Sequence, residues 1–202
     1  MDRVKTAVLI SGSGTNLQAL IDAAADSSYP AVITLVISNI ANAYGLKRAQ
    51  KAGIATAVIS HKEYPTREAF DETLHQCLSD NGIEIVCLAG FMRILGAGIV
   101  KQWEGRMLNI HPSLLPRYKG VDAQKQALED GATRSGCSVH YVTADLDAGP
   151  VIVQREVPVQ PHDTVATLSE RILAQEHVAY PQALAEVARS LRHSRLEKTT
   201  KA

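Results

Sequence analysis

The sequence predicts an α/β fold in which a doubly wound, mostly parallel, twisted sheet carries helices on both faces, with an antiparallel strand in the C-terminal part. Three observations carry this prediction. Short β-branched runs alternate with longer segments of helical period. The run at 84–89 has a continuous apolar middle, as expected of a strand covered on both faces. A glycine-rich turn, Gly12-Ser13-Gly14-Thr15-Asn16, joins the first strand to the first helix.

The elements follow in order. Residues 6–11 read as the first strand, and Leu17, Leu20, Ile21 and Ala24 then recur at helical spacing, so the first helix lays one apolar face on the sheet. Strands are expected at 31–38 and 55–60, around a helix at 44–51 that ends near Gly53. Phe70, Leu74, Cys77 and Leu78 mark a helix between Thr66, a candidate N-cap, and Gly82, its stop. A strand at 84–89, a helix at about 96–103 and a strand at 107–111 complete the first half. Two prolines and Lys119-Gly120 make 112–121 an exposed loop. A short helix at 123–130, β runs at 137–142 and 151–159, and a long helix from Thr164 follow. Pro181 should end or kink that helix, with a further helical stretch to about Leu191.

A chain of 202 residues with 46% hydrophobic content can bury one sizeable core, which favours a single domain over 1–190. Residues 191–202 are polar and basic and are expected to be disordered. Lys plus Arg number 21, as do Asp plus Glu, so no overall positive field is available to hold nucleic acid. Apolar runs such as 31–38 fall short of the roughly 18 residues that span a bilayer. The N-terminus lacks a secretory pattern, so a cytoplasmic protein without a membrane partner is expected. The three cysteines, Cys77, Cys87 and Cys137, form no CxxC pair and read as reduced thiols. Seven scattered histidines offer no metal-ligand spacing, so no metal is expected.

Backbone N–H groups and the helix dipole make the 12–16 turn a ready phosphate site, although such a turn can also be only a tight connection. It lacks the third glycine of a dinucleotide fingerprint, and the second strand closes on Ser38-Asn39 without an acidic residue. A monophosphate therefore fits better than a nicotinamide dinucleotide. Asn109 and His111 lie at i and i+2 of one strand, so both side chains point to one face with Cα atoms roughly 6 to 7 Å apart. They stand at the strand's carboxyl end, where open α/β sheets bind ligands; a hydrogen-bonded structural pair is the alternative. Asp147, before Gly149-Pro150, can reach His111 if the two β runs neighbour that strand, or can serve only as a turn-former.

Asn109-Ile110-His111-Pro112-Ser113-Leu114-Leu115-Pro116, then Lys119-Gly120, then Leu146-Asp147-Ala148-Gly149-Pro150, closely resemble the formyltransferase family that uses 10-formyltetrahydrofolate. With 11–17 and 89–95 added, the resemblance is to the branch whose acceptor is glycinamide ribonucleotide, and it covers about 5–189. It implies a Rossmann-like formyltransferase fold with formyl-folate as co-substrate. It also implies that Asn109, His111 and Asp147 are catalytic, and that Gly12, Ser13, Gly14, Thr15 and Asn16, with Glu176, hold the ribonucleotide. Arg67, Met92, Arg93, Ile94 and Leu95, together with Asn109, Ala144, Asp145 and Asp147, would line the folate site. The loop around 118–121 would be a lid. A monomer or a homodimer is expected. Sister enzymes that act on an aminoacylated tRNA or hydrolyse the formyl-folate fit less well, as does a silent nucleotide-binding module.

Overall fold

The computed structural model describes residues 3–200, with side chains through residue 196. The first two residues of the expected domain and the last two of the expected tail lie outside the described residues. The elements are β1 (Val4–Ile10), α1 (Thr15–Ala24), β2 (Ala31–Ser38), α2 (Tyr44–Lys51), β3 (Ala55–Val58), α3 (Arg67–Asp80), β4 (Ile85–Leu88) and α4 (Ala97–Gln102). Then come β5 (Met107–His111), α5 (Ala123–Glu129), β6 (Arg134–Tyr141), β7 (Val151–Pro158) and α6 (Val165–Thr200).

The strands form one seven-stranded sheet in the order β3-β2-β1-β4-β5-β6-β7. Neighbours from β3 to β5 are parallel, and β6 alone reverses, pairing antiparallel with β5 and with β7. The chain works outward from β1 to β3 and then crosses to β4, so the winding changes direction between β1 and β4. Crevices at such a reversal are where open sheets bind ligands.

Alternation along the strands builds two cores. Val8 and Ile10 of β1 pack with Leu17, Leu46, Ile172 and Leu184 of α1, α2 and α6. Ala7 and Leu9 face the other way, with Phe70, Leu74 and Leu78 of α3 and Trp103 after α4. Each buried Leu or Phe of this kind contributes about 1.5 to 3 kcal/mol, so both faces need their helices. Thr66 caps α3 as its sequence predicts, its hydroxyl oxygen accepting from the Ala69 N–H at 3.2 Å.

Two expectations are corrected at the C-terminus. Pro181 does not end α6, which runs on to Thr200. The ring removes one helical N–H, but Ala179, Tyr180, Ala183, Leu184 and Ala188 on both sides of it are fully buried, and tertiary packing of this kind outweighs one missing bond. The stretch from 191, expected to be disordered, is helical through Thr200. Leu191 packs on the core and Arg195 pairs with Glu84, which extends the helix beyond the last turn that composition alone supports. Smaller differences are a shorter β3 and an earlier start to β6, where Arg134 pairs with Pro158 of β7 and its guanidinium meets Glu156. Cys77, Cys87 and Cys137 are free thiols. Among the described residues no helix is long and apolar enough to cross a membrane.

Candidate active site

On β5, Leu108 and Ile110 belong to the core under α1 and α6, while Met107 belongs to the opposite core. The pleat therefore puts Asn109 and His111 on the Met107 side, at the carboxyl end of the strand. Asn109 is half-buried and His111 is buried.

The His111 ring lies between two acceptors. Its Nε2 is 2.8 Å from the Tyr118 carbonyl oxygen, and its Nδ1 is 3.4 Å from Asp147 Oδ2. A neutral imidazole can donate to one of them; the doubly protonated ring donates to both.

Asp147 reaches this position because of the turn that holds it. At Gly149 an added Cβ would lie 1.8 Å from the Tyr141 carbonyl oxygen, so only glycine lets the β6–β7 connection fold back against its own strand. Asp147 itself takes φ 47°, a left-handed conformation that Asp tolerates better than most residues. Its buried carboxylate accepts from the Gly120 N–H at 2.9 Å and has Oδ1 3.5 Å from His140 Nε2. Burial pushes this carboxyl up, but the contact with His140, the Gly120 N–H and the charge of His111 outweigh it and hold the group below its ordinary value.

His140 is the residue that sequence reasoning missed. It pairs in register with Asn109 across the β5–β6 ladder, and its Nε2 is 3.2 Å from Asn109 Nδ2. A histidine in an apolar β run was the available signal, but the partner across the ladder depends on register, which the run alone does not specify.

The 112–121 segment is pinned at its root and bent at its tip. Ser138 Oγ donates to the Ser113 carbonyl at 2.6 Å and accepts from the Leu115 N–H at 3.0 Å, while Gln154 Nε2 donates to the Leu115 carbonyl at 2.8 Å. Beyond this buried network, Tyr118 and Gly120 have φ of 55° and 77°, and their backbone groups meet His111 and Asp147.

The glycine turn stands two strands away. Gly14, at φ 70°, precedes α1 with no side-chain cap, so the first-turn N–H groups remain open to an anion. Gly12 and Ser13 are exposed, and their carbonyls accept from the Gly45 N–H at 3.0 Å and from Arg48 Nε at 2.9 Å. Thr15 and Asn16 are half-buried. Asn16 Nδ2 donates to Glu176 Oε2 at 2.6 Å, which brings Glu176 of α6 behind the turn. Burial pushes the Glu176 carboxyl up, and the Asn16 amide offsets part of that.

The 90–96 loop lies beside this turn at the winding reversal. Ser11 N–H donates to the Gly90 carbonyl at 3.1 Å, and Met92 N–H to Ser11 Oγ at 2.8 Å. Met92 and Ile94 are 74% and 61% exposed, an apolar rim with nothing of the protein over it, while Leu95 packs inward and Arg93 is half-buried. The loop is fastened to α3 by Gly96 N–H, which donates to buried Asp71 at 2.7 Å, and the exposed Arg67 lies near both residues. Ala144 and Asp145 are exposed on the loop that carries Asp147. The structure thus joins His111 to Asp147 directly and Asn109 to Asp147 through His140, and joins Asn16 to Glu176. Among the described residues no group of His, Cys, Asp and Glu is placed to hold a metal.

The chain matches the family described as formyl transferase over residues 4–184. It is similar to phosphoribosylglycinamide formyltransferase of Escherichia coli K12, with 48% identity over 174 residues that cover 86% of this chain and 82% of the relative. It is 54% identical to the human trifunctional purine biosynthetic protein adenosine-3, over 92% of this chain but 18% of that protein, so it spans less than a fifth of this longer relative. The crystal structure of glycinamide ribonucleotide transformylase 1 from Symbiobacterium toebii superimposes with a TM-score of 0.91 at 47% identity, covering 93% of this chain and 89% of that one.

Proposed function

This chain belongs to the formyl transferase family, and from that premise we infer that it transfers the formyl group of 10-formyltetrahydrofolate to the amino group of glycinamide ribonucleotide, a step of purine biosynthesis. The observation that carries this reading is the meeting of Asn109, His111 and Asp147 at the carboxyl end of β5, with an uncapped glycine turn on the same edge of the sheet.

The roles follow from the chemistry. The acceptor amine attacks the formyl carbon, a C–N bond forms, and the carbonyl electrons move to oxygen. Asn109 donates to that oxygen, and so does the Nε2–H of a protonated His111 once the 118–121 lid carries the Tyr118 carbonyl off that nitrogen; preorganised donors of this kind are worth about 3 to 4 kcal/mol each. Asp147 takes the proton released by the amine; the oxyanion electrons then re-form the carbonyl, the bond from carbon to N10 of the folate breaks, and the proton held by Asp147 is relayed to N10. Gly12, Ser13, Gly14, Thr15 and Asn16 bind the ribonucleotide phosphate, and Glu176 contacts the same substrate. Arg67, Met92, Arg93, Ile94, Leu95, Ala144 and Asp145 hold the folate, with Asn109 and Asp147 at its reactive end. Orienting both substrates removes roughly 7 to 11 kcal/mol from a bimolecular barrier. Residues 1–190 act as one catalytic domain in the cytoplasm, as a monomer or homodimer, with small molecules and neither nucleic acid nor membrane as partners.

The test is an absorbance assay for deformylation of 10-formyltetrahydrofolate with and without glycinamide ribonucleotide. Turnover that requires the ribonucleotide is expected. Equal turnover without it would replace the transferase with a hydrolase, and no turnover in either case would leave only a binding module.

A further inference from the structure

We propose that His140 is a positioning residue for Asn109: it fixes which end of the amide faces the protein, so that a single N–H remains for the substrate. This rests on the reading of Asn109 as an oxyanion donor. His140 is 2% exposed and stands opposite Asn109 in the β5–β6 ladder. Its Nδ1 lies 2.9 Å from the Tyr141 carbonyl oxygen, and a carbonyl only accepts, so Nδ1 carries a proton. The neutral ring then presents a lone pair at Nε2, where Asn109 Nδ2 stands 3.2 Å away; Asp147 Oδ1 is the farther neighbour of the same nitrogen, at 3.5 Å, and becomes its hydrogen-bond partner only when the ring takes a second proton.

The consequence concerns the amide. Its two ends are nearly equal in size, and packing alone does not distinguish one orientation from the other. A lone pair does, because it attracts NH₂ and repels the carbonyl oxygen. One amide hydrogen is thereby held by His140, and the second is left to donate elsewhere. Such donors act only when their orientation is fixed before the reaction. His140 also stands 3.5 Å from Asp147, the proton acceptor, so the double variant with Asn109→Ala is what separates the two contacts.

The test compares His140→Gln with His140→Asn, alone and combined with Asn109→Ala, measuring kcat and both KM values together with thermal melts. A glutamine can place an acceptor where Nε2 stands; an asparagine reaches only to the Nδ1 position. His140→Asn should lose about 100-fold in kcat with both KM values little changed, the scale of a misplaced group, while His140→Gln recovers most of it. In the Asn109→Ala background His140→Asn should cost nothing further. Equal kcat for the two variants, a loss carried by KM, or additivity with Asn109→Ala would overturn the proposal. Parental turnover in Asn109→Ala alone would instead overturn the site reading beneath it. Independently of any variant, ¹⁵N–¹H correlation spectra of the parent should report His140 as the Nδ1–H tautomer; an Nε2–H tautomer would overturn the assignment.

Discussion

Asp147 and Glu176 are both buried, yet they stand on opposite sides of their ordinary titration range. Burial raises each of them. At Asp147 the contacts with His140, the Gly120 N–H and the charge of His111 win, and the folded-state value falls below 3.8. At Glu176 a single amide, from Asn16, does not offset burial, and the value stays above 4.5. The linkage signs are therefore opposite. Asp147 contributes stability that is fully present above its unfolded value and is lost as pH falls through its folded one. Glu176 costs stability above its folded value, and that cost disappears as pH falls below its unfolded one. In urea unfolding between pH 3 and pH 8, Asp147→Asn should be less stable than the parent at neutral pH, with the gap closing below about pH 4. Glu176→Gln should be more stable at neutral pH, with its gap closing at higher pH than that of Asp147→Asn, as pH falls through the raised folded value to the ordinary glutamate value of 4.5. Parallel curves for either variant would remove that carboxylate from the account. Turnover should separate them as well: Asp147→Asn is expected to lose about 10² to 10⁴ in kcat, as for a lost general base, and Glu176→Gln chiefly to raise KM for the ribonucleotide.

Among the elements, α1 and α2 approach each other through two glycines. A Cβ on Gly14 would lie 2.6 Å from the Gly45 Cα, and Gly14 already holds φ 70°. Gly14→Ala should therefore cost about 1 to 3 kcal/mol in chemical denaturation from backbone strain alone. It should also raise KM for the ribonucleotide about tenfold, the value of one weakened hydrogen bond to a charged group. An unchanged KM would separate the turn from phosphate binding. The existence of this turn was legible in the sequence because glycine between a strand and a helix has few other uses, and the same holds for the Thr66 cap and the apolar faces of α1 and α3. Asn109 and His111 were legible because a strand's pleat puts i and i+2 on one side. What escaped was non-local. His140 depends on ladder register, and the passage of α6 through Pro181 depends on a core contributed by distant strands.

At the scale of the whole molecule, α6 ties the sheet together. Tyr180 is fully buried, and its hydroxyl lies 2.9 Å from the Leu88 carbonyl and 3.2 Å from that of Leu108, so one donor serves the ends of β4 and β5. Burial also holds this phenol well above its ordinary value, so it remains a donor. Tyr180→Phe should cost about 1 kcal/mol, which for a chain of this length lowers Tm by roughly 2 to 4 °C, with kcat unchanged. A calorimetric scan that shows no shift would mean the two carbonyls are satisfied without it. The strand order has a further consequence. The glycine turn follows β1, the Asn109–His111 pair ends β5, and β4 alone lies between them. Two inter-strand spacings, about 9 to 10 Å, separate the two anchor points. On the proposed reading the sheet works as a ruler: an acceptor whose phosphate sits on the turn brings to the formyl carbon only an amine set at the matching distance, so its length is matched to a spacing that backbone hydrogen bonding fixes between β1 and β5.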